Sequence, residues 1–346
     1  MKTSAITEKK PSNRVSKKKR GVASKIFTVI AVLLVALLTL SFISPLPVAM
    51  LIRFAFRNGN AVAPDNYEVL QAQVAATKDL VYPSSHKSNL ADIYCPKDSI
   101  APLPVVLWIH GGAYVGGDKK DVEIYATALA SEGFAVVCIN YERAPEAKYP
   151  VPVVQTGEAY VWLCDIAAEY SLDIERLIIA GDSAGAHIAA QFTAIQTSAA
   201  YAAEMEMEQL VPVDALKSVL LFCGPYDSEK ITSSDNMLVN YFLGSAAWAY
   251  FGSRSWETKY AKQASIGGYI TPDFPPTFIT DGNKLSFEDH ARDLAEVLER
   301  NSVPVEAYFI AAADETAYHE YQFVMNTAPG MDAFQKMLGF IKRYTA

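Results

Sequence analysis

The sequence predicts an α/β fold in which helices cover both faces of a mostly parallel sheet. Short apolar runs of strand length alternate with longer amphipathic stretches through most of the 346 residues, and the order strand, helix, strand is typical of parallel sheets. The runs are apolar at nearly every position, as expected of strands buried on both faces. With 51% hydrophobic residues, the composition also allows a large core.

The individual elements follow from these two periods. The apolar runs predicted as strands are 90–94, 105–109, 135–140, 177–180, 219–223, 277–280 and 305–310. The amphipathic stretches predicted as helices are 122–132, 156–170, 184–198, 287–299 and 331–344. Residues 228–272 break the alternation and are too long for an ordinary connection. We expect them to form a helical cap insertion over one end of the sheet.

Charge separates the first residues from the rest of the chain. Residues 1–25 carry nine Lys or Arg and a single acid, Glu8, which gives a local charge of +8, whereas the other 321 residues sum to -16. Because phosphate binding needs a basic surface, the acidic body argues against nucleic acid as a partner.

An apolar stretch follows the basic residues. Residues 26–43 contain only Thr and Ser as polar interruptions, and 18 such residues can cross a bilayer. The alternative is a cleaved signal peptide, whose apolar region usually has about 7–15 residues and ends close to its cleavage site; here the next Ala-x-Ala is at 61–63. We expect an uncleaved signal anchor at 26–44 in the cell membrane, preceded by a tail (1–25) and followed by a linker (45–76) and a folded domain (77–346). The Lys and Arg excess before the anchor predicts a cytoplasmic N-terminus and an extracytoplasmic body.

A G-x-S-x-G motif at 181–185 directly follows the predicted strand 177–180 and precedes an Ala-rich helical stretch. This context is that of a nucleophile elbow, in which glycines leave room for a sharp turn around the serine. The turn also places the serine at a helix N-terminus, where free N–H groups favour a developing negative charge. Ser183 is therefore the candidate nucleophile.

The predicted strand 105–109 ends in His110, Gly111 and Gly112. Acyl transfer passes through an oxyanion, and each preorganised backbone donor to it is worth roughly 3–4 kcal/mol. Glycines allow such donors to approach a substrate closely. We expect the N–H groups of Gly111, Gly112 and Ala184 to form an oxyanion hole, and His110 to order the loop.

A nucleophilic serine needs a general base. The histidines of the chain are His86, His110, His187, His290 and His319. His319 follows the last predicted strand, which is where the chain order of nucleophile, acid and base puts the base. We expect His319 to take the hydroxyl proton of Ser183, and His187, four residues after the nucleophile, to serve in packing.

These motifs resemble the hormone-sensitive lipase group of the α/β-hydrolases over about residues 77–345. The matching residues are 110–113, 140–146, the elbow with its Asp182, and Pro275 with Pro276. The resemblance implies an α/β-hydrolase fold with an eight-stranded sheet, carboxylesterase or acetyl esterase activity on short-chain acyl esters, and the roles given above for Ser183, His319 and the oxyanion donors.

The acid departs from the family pattern. Family members show G-x-x-D-x-L-x-D-E after the seventh strand, whereas Leu285 stands here at the aspartate position. Asp281 ends a predicted strand, where catalytic groups of open α/β sheets gather, and it is the first candidate. Glu288 is the second, and Asp289 and Asp227 also stay open.

The sequence therefore predicts a serine carboxylic-ester hydrolase that acts on a small-molecule ester. An acyltransferase on the same fold and a catalytically silent, membrane-anchored binding module are the alternatives, and the presence of nucleophile, base and oxyanion motif together favours the hydrolase. The sequence contains no metal-ligand cluster, phosphate loop or nucleotide fingerprint, so we expect no cofactor and no metal. The four cysteines lack CxxC spacing and are expected in the core.

Overall fold

The chain is described by a computed structural model over residues 14–99, 101–311, 313 and 316–346. Residues 1–13 of the predicted basic tail lie outside the described residues. The chain divides into two compact units, Met1–Pro47 and Val48–Ala346.

The first unit is dominated by one helix, α1 (Arg14–Ser41). Its window Ser24–Ser41 has a mean hydropathy of 2.2 and is almost entirely exposed, including Phe27, Leu33 and Val35. By length and composition this helix can cross a membrane. A signal sequence near an N-terminus meets the same two criteria.

The second unit is built on one eight-stranded sheet. Its strands are β1 (Val74–Val81), β2 (Leu90–Pro96), β3 (Leu103–Ile109), β4 (Ala135–Ile139), β5 (Leu172–Asp182), β6 (Leu216–Phe222), β7 (Thr277–Asp281) and β8 (Val305–Phe309). They lie in the order β1-β2-β4-β3-β5-β6-β7-β8. The pairs β1–β2 and β2–β4 are antiparallel, and every pair from β4 to β8 is parallel. The prediction of a mostly parallel, eight-stranded sheet is confirmed.

Helices cover both faces of this sheet. The remaining helices of the described chain are α2 (Leu46–Ala55), α3 (Tyr67–Gln73), α4 (Glu123–Ala130), α5 (Val151–Tyr170), α6 (Ala184–Thr197), α7 (Ala199–Met205), α8 (Met237–Phe251), α9 (Trp256–Lys259), α10 (Ala261–Ala264), α11 (Glu288–Arg300) and α12 (Ala328–Thr345). Leu107 and Ile109 of β3 pack in the core cluster that contains α5 and α6, whereas Val106 and Trp108 pack in the cluster that contains α4 and α12. Successive side chains point to opposite faces of a strand, so β3 is buried throughout.

The edge strand β1 was not among the predicted runs. Only Val74 of its eight residues is buried and most of the others are exposed. An exposed edge strand needs no apolar run, and its sequence therefore carries no strong periodic signal.

The stretch predicted as a linker, 45–76, contains α2 and α3. Val62 also forms a parallel bridge with Val324, and its N–H donates to the carbonyl oxygen of Phe323 at 2.8 Å. Within the predicted insertion 228–272, the helices α8, α9 and α10 and two short 3-10 turns make up most of the residues.

The register of the sheet decides where the loops meet. Ile109 lies beside Gly181, Asp182 beside Phe222, and Phe222 beside Thr280. Because these strands are parallel, the loops after β3, β5, β6 and β7 leave the same edge of the sheet. The predicted oxyanion loop, the elbow and Asp281 are thereby brought together.

Candidate active site

The elbow places Ser183 between the end of β5 and the start of α6. Its backbone has φ 51° and ψ -121°, a strained conformation that costs a non-glycine residue about 1–3 kcal/mol. Its N–H donates to the carbonyl oxygen of Phe222 at 2.7 Å, which pins the turn to the neighbouring strand. The hydroxyl therefore projects from a fixed point at the N-terminus of α6.

The two glycines of the elbow are required by close approach. A Cβ on Gly181 would lie 2.4 Å from the carbonyl oxygen of Gly185, and a Cβ on Gly185 would lie 2.1 Å from the carbonyl oxygen of Ile109. Both distances are far inside van der Waals contact, and the opposing atoms are backbone. The motif is thus a steric consequence of fitting α6 tightly against β3 and β5.

His319 reaches the serine from the loop between β8 and α12. Its Nε2 lies 2.9 Å from the Oγ of Ser183, although 136 residues separate them in sequence. A serine hydroxyl that donates to Nε2 requires the ring proton to be on Nδ1. The structure thus brings the predicted nucleophile and the predicted base into hydrogen-bond contact.

The Nδ1 of His319 contacts a serine rather than a carboxylate. It lies 2.8 Å from the Oγ of Ser286, and that hydroxyl is in turn hydrogen-bonded to the Oδ1 of Asp281. Asp281 ends β7 and is fully buried, and its Oδ1 also accepts the N–H of Phe287 at 3.3 Å. Asp281 therefore reaches His319 through Ser286.

Ser286 could not be predicted from the sequence, because a serine has no carboxylate and does not match the pattern of a triad acid. The one available signal was its position directly after Leu285, where the family pattern has its aspartate. A polar side chain at that point of the loop can face the base even when the carboxylate itself comes from the end of the strand.

The other carboxylates considered for the acid have different partners. Glu288 forms an ion pair with Arg292 one turn along α11, and Asp289 is exposed. Asp227 caps a short 3-10 turn at Glu229 and accepts the hydroxyl of Ser265 at 3.0 Å. In the described part of the chain, Asp281 alone of the four is linked by hydrogen bonds to His319.

Burial shifts the pKa of both groups strongly. It raises the pKa of Asp281 to about 7, against stabilisation of the carboxylate by the hydroxyl of Ser286 and the N–H of Phe287. It lowers the pKa of His319 to about 4. An imidazole in direct contact with a carboxylate would gain a proton more easily, so the low pKa of His319 agrees with a carboxylate held one hydroxyl away.

The loop after β3 differs from the prediction in one donor. The N–H of Gly111 donates to the Oδ2 of Asp182 at 2.8 Å, so it is not free to face an oxyanion. The other oxygen of Asp182 accepts the indole N–H of Trp108 at 2.7 Å. The assignment of Gly111 to the oxyanion hole is therefore corrected.

Three other backbone donors remain at this point. The N–H groups of Gly112, Ala113 and Ala184 are not bonded to any acceptor in the described chain. Ala113 has φ 52° and Gly112 has φ 112°, so the loop turns in a left-handed conformation just after Gly111. These donors, two of them predicted, can stabilise an oxyanion on a substrate bound at Ser183.

Two buried histidines contact the loop: His110, expected to order it, and His187, expected to serve in packing. The Nδ1–H of His110 donates to the carbonyl oxygen of Gly111 at 2.7 Å, and its ring stacks on Tyr141. The Nε2–H of His187 donates to the carbonyl oxygen of Ala264 at 2.7 Å, so its Nδ1 accepts the hydroxyl of Tyr114 at 2.9 Å. Both rings are buried, and their lowered pKa of about 4 keeps them neutral.

A buried pair of acids lies beneath the loop. Glu320 is hydrogen-bonded to Asp182, and burial raises the pKa of Asp182 to about 6 and that of Glu320 well above its usual range. The Oε2 of Glu320 accepts the amide of Asn60 at 3.1 Å, and its Oε1 lies 4.0 Å from the Nε2 of His319. The raised pKa of Glu320 favours its neutral form beside Asp182. Glu320 was not among the functional residues predicted from the sequence.

One group of metal-ligating side chains occurs in the described part of the chain. Cys223, Asp281 and His319 have ligand atoms within 4.8 Å of one another. Two of the three are already bonded to Ser286, and burial raises the pKa of Cys223 well above its usual range. Since metals bind the thiolate, we interpret this group as a hydrogen-bonded network.

A cleft of about 500 Å³ lies elsewhere, between α5, α6 and residues 206–210. Its lining includes Val153, Trp162 and Phe192 but no residue of the Ser183 network. The cleft therefore belongs to a different part of the surface.

The sheet order and the elbow are those of the α/β-hydrolase fold, and solved structures agree on this fold. Esterase B from Lactobacillus rhamnosis superposes with a TM-score of 0.71 at 18% identity over 95% of this chain and 96% of that chain. A bacterial heroin esterase superposes with a TM-score of 0.66 at 20% identity over 85% of this chain and 97% of that chain. At these identities the likeness is one of fold.

Residues 91–291 match the family model of BD-FAE, and this is more than half of the chain. The chain therefore belongs to the BD-FAE family.

Curated relatives carry esterase names. The esterase LipQ of Mycobacterium tuberculosis is 28% identical over 222 residues, which are 61% of this chain and 49% of that protein. A probable isoprenylcysteine alpha-carbonyl methylesterase of Arabidopsis thaliana is 34% identical over 113 residues, 33% of this chain and 24% of that protein. The matches thus span between a quarter and a half of the length of these two relatives.

Proposed function

We propose that this protein is a serine carboxylic-ester hydrolase that acts on short-chain acyl or acetyl esters. Ser183 is its nucleophile, His319 its general base and Asp281 its acid. The observation that carries the proposal is the 2.9 Å contact between the Oγ of Ser183 and the Nε2 of His319 at a strained elbow. The esterase names of the relatives support the same reaction class.

The geometry suits acyl transfer in two steps. The Nε2 of His319 takes the hydroxyl proton of Ser183 as its Oγ attacks the ester carbonyl. The N–H groups of Gly112, Ala113 and Ala184 stabilise the resulting oxyanion, and His319 returns the proton to the leaving alcohol. A water molecule then repeats the sequence on the acyl-enzyme and releases the acid.

The substrate we propose is a small-molecule ester. Beside the oxyanion loop, Tyr114 stacks on Tyr250 of α8 with ring centroids 4.0 Å apart, so the helices of residues 228–272 are packed against the site. An apolar acyl pocket supplied by these helices would select acyl chains weakly, by about 1–3 kcal/mol per methylene. We therefore expect several short esters to be accepted.

Turnover of p-nitrophenyl acetate, butyrate and decanoate by the full chain in detergent tests the proposal. Ser183→Ala should lose at least about 10³-fold in kcat. Ser99 is an exposed serine outside the Ser183 network, and Ser99→Ala should keep wild-type turnover. Faster turnover of acetate and butyrate than of decanoate is expected. No turnover by a folded wild type would instead favour a specialised acyl acceptor or a silent binding module.

We also propose that α1 is an uncleaved anchor in the cell membrane. The N-terminus would then be cytoplasmic and the hydrolase domain extracytoplasmic, because Lys and Arg are in excess before the apolar window. On this reading the bilayer is a second partner of the chain.

A further inference from the structure

We propose that Ser286 is a positioning residue that couples Asp281 to His319, so that the acid acts on the base through a serine hydroxyl. The inference rests on the proposed hydrolase function and names a residue that this function needs. It follows from the connectivity of four side chains in one hydrogen-bonded chain.

The geometry leaves Ser286 as the link. Its hydroxyl lies 2.8 Å from the Nδ1 of His319 and is bonded to the Oδ1 of Asp281. That same Oδ1 accepts the N–H of Phe287, which holds the carboxylate at the end of β7. The ring of Phe287 packs edge-on against His319, so the imidazole is also held in place from its side.

A hydroxyl in this position has one proton, and its direction decides the state of the base. When Asp281 is ionised, the Ser286 hydroxyl donates to the carboxylate and must accept the Nδ1–H of His319. The Nε2 is then free to accept the proton of Ser183, which is the productive tautomer. When Asp281 is protonated, it donates to Ser286, the hydroxyl donates to Nδ1, and the ring proton sits on Nε2, where it blocks the base.

The ionisation of Asp281 therefore sets the tautomer of His319. Burial raises the pKa of Asp281 to about 7, so this change falls near neutral pH, well above the pKa of about 4 of His319. Activity should rise with pH through the ionisation of Asp281 rather than through that of the imidazole. Because the groups are linked, the measured value belongs to the network.

The titratable groups that surround Asp281 do not change their charge near neutral pH. Cys223 and Tyr226 face it from the end of β6 and the loop beyond, and Tyr321 faces it from the turn after His319; burial raises the pKa of all three. They are uncharged at neutral pH. Of the other nearby groups, Glu320 has a raised pKa and His290 of α11 a lowered one, and both shifts favour the neutral form.

The test is a set of variants measured as kcat and KM against pH from about 5 to 9 on p-nitrophenyl acetate. Ser286→Ala removes the link and should lower kcat by about 10²-fold with little change in KM, because Nδ1 loses the acceptor that fixes its proton. Ser286→Thr keeps a hydroxyl and should restore most of kcat. It should also restore the rise of kcat with pH near pH 7. A structural role alone would not give that rescue or move the limb.

Asp281→Asn supplies the second arm. Its amide donates to Ser286 and should force the unproductive tautomer, with a loss of kcat at least as large as that of Ser286→Ala. The double variant Asp281→Asn with Ser286→Ala should be no less active than Asp281→Asn, because the hydrogen-bonded link between residue 281 and His319 is already lost in the single variant. Asp289→Asn, an exposed aspartate in the first turn of α11, is the matched control and should behave as wild type.

The results separate this inference from the function on which it rests. Wild-type kcat and an unchanged pH limb in Ser286→Ala, or independent losses that multiply in the double variant, would overturn the role of Ser286 while leaving Ser183 as nucleophile. Turnover that persists in Ser183→Ala would overturn both. A far-UV circular dichroism spectrum and a urea midpoint measured for every variant show whether a lost kcat reflects an unfolded chain.

Discussion

At the scale of single residues, the site contains a buried carboxylate, Asp281, and a strained backbone at Ser183, both of which reduce the stability of the fold. Asp281 is fully buried and its Oδ2 has no hydrogen-bond partner in the described chain. Ionising it therefore costs stability, and its raised pKa is the measure of that cost. Functional sites commonly trade stability for activity in this way.

This trade predicts a pH-dependent difference in stability between wild type and Asp281→Asn. The pKa of Asp281 is raised from an ordinary 3.8 to about 7 in the folded chain, so the folded state holds a proton that the unfolded state loses between these values. As the pH rises from about 4 to about 7, the free energy of unfolding of wild type should therefore fall relative to that of Asp281→Asn. The expected fall is on the order of a few kcal/mol. The difference should level off above that range.

Urea denaturation of the two proteins at several pH values measures this difference. The comparison cancels the opposite contribution of the buried histidines, whose pKa values are lowered and which both proteins share. A difference that is constant from pH 4 to pH 8 would show that Asp281 is not protonated in the folded chain at acidic pH.

At the scale of elements, the elbow is a contact between the start of α6 and the end of β3. Gly185→Ala would place its Cβ 2.1 Å from the carbonyl oxygen of Ile109, so one backbone must move. We expect it to lower the free energy of unfolding by about 1–3 kcal/mol or more and to abolish turnover, because Ser183 moves with the turn.

Gly339 in α12 is the matched control for this change. A Cβ there meets nothing within 4 Å, and Ala is favoured over Gly inside a helix by about 1 kcal/mol. Gly339→Ala should therefore raise the urea midpoint and leave turnover unchanged. Equal stability of both variants would contradict the steric account of the elbow.

The helix α2 supports the oxyanion loop from outside. Arg53 donates to the carbonyl oxygen of Val115 and, at 2.7 Å, to that of Ala144, and it forms an ion pair with Glu146. The Cα of Arg53 also lies against Gly116, at a distance of 3.4 Å from the position a Cβ would take there. The loop that presents Gly112 and Ala113 is thus held by a helix that precedes the sheet.

Removing this support should loosen the loop. Arg53→Ala leaves two carbonyl groups without their charged donor, which typically costs about 1.5–3 kcal/mol, and we expect a lower kcat with a retained fold. Arg57→Ala, whose guanidinium lies over the exposed ring of Phe54, should change neither. Melting temperature and kcat, measured on both variants, test this expectation. An unchanged kcat in Arg53→Ala would mean that the loop keeps its shape without the contacts of Arg53.

Much of the architecture could be predicted from the sequence, and the limits have physical causes. Strands such as β3 and β4 are buried on both faces and therefore appear as apolar runs, whereas the exposed edge strand β1 does not. The link from Asp281 to His319 was beyond sequence reasoning, because Ser286 has no acidic signature. Gly111 was assigned wrongly because its N–H bonds to Asp182, 71 residues away, a contact that appears only when β3 and β5 lie side by side.

At the scale of the whole molecule, the parallel sheet explains why distant motifs form one site. Loops from β3, β5, β7 and β8 leave the same edge, so residues spread over more than half of the chain converge at Ser183. The same scale includes the proposed anchor, since α1 precedes the hydrolase domain in the chain and its apolar window is exposed.

The proposed topology predicts the outcome of a protease experiment. In intact cells, externally added protease should remove the hydrolase domain and leave a fragment that contains the N-terminus, because the domain is extracytoplasmic. Permeabilised cells serve as the control for protease access. Full protection of the domain in intact cells would reverse the proposed orientation.

The measurement that tests the central claim most directly is the pre-steady-state release of p-nitrophenol from p-nitrophenyl acetate, followed by peptide mapping of the quenched enzyme. Attack by Ser183 with His319 as base predicts a burst close to one equivalent per chain and an acetyl group on the peptide that contains Ser183. Turnover without an adduct on Ser183, or an adduct on another residue, would contradict the assignment of the nucleophile and with it the proposed mechanism.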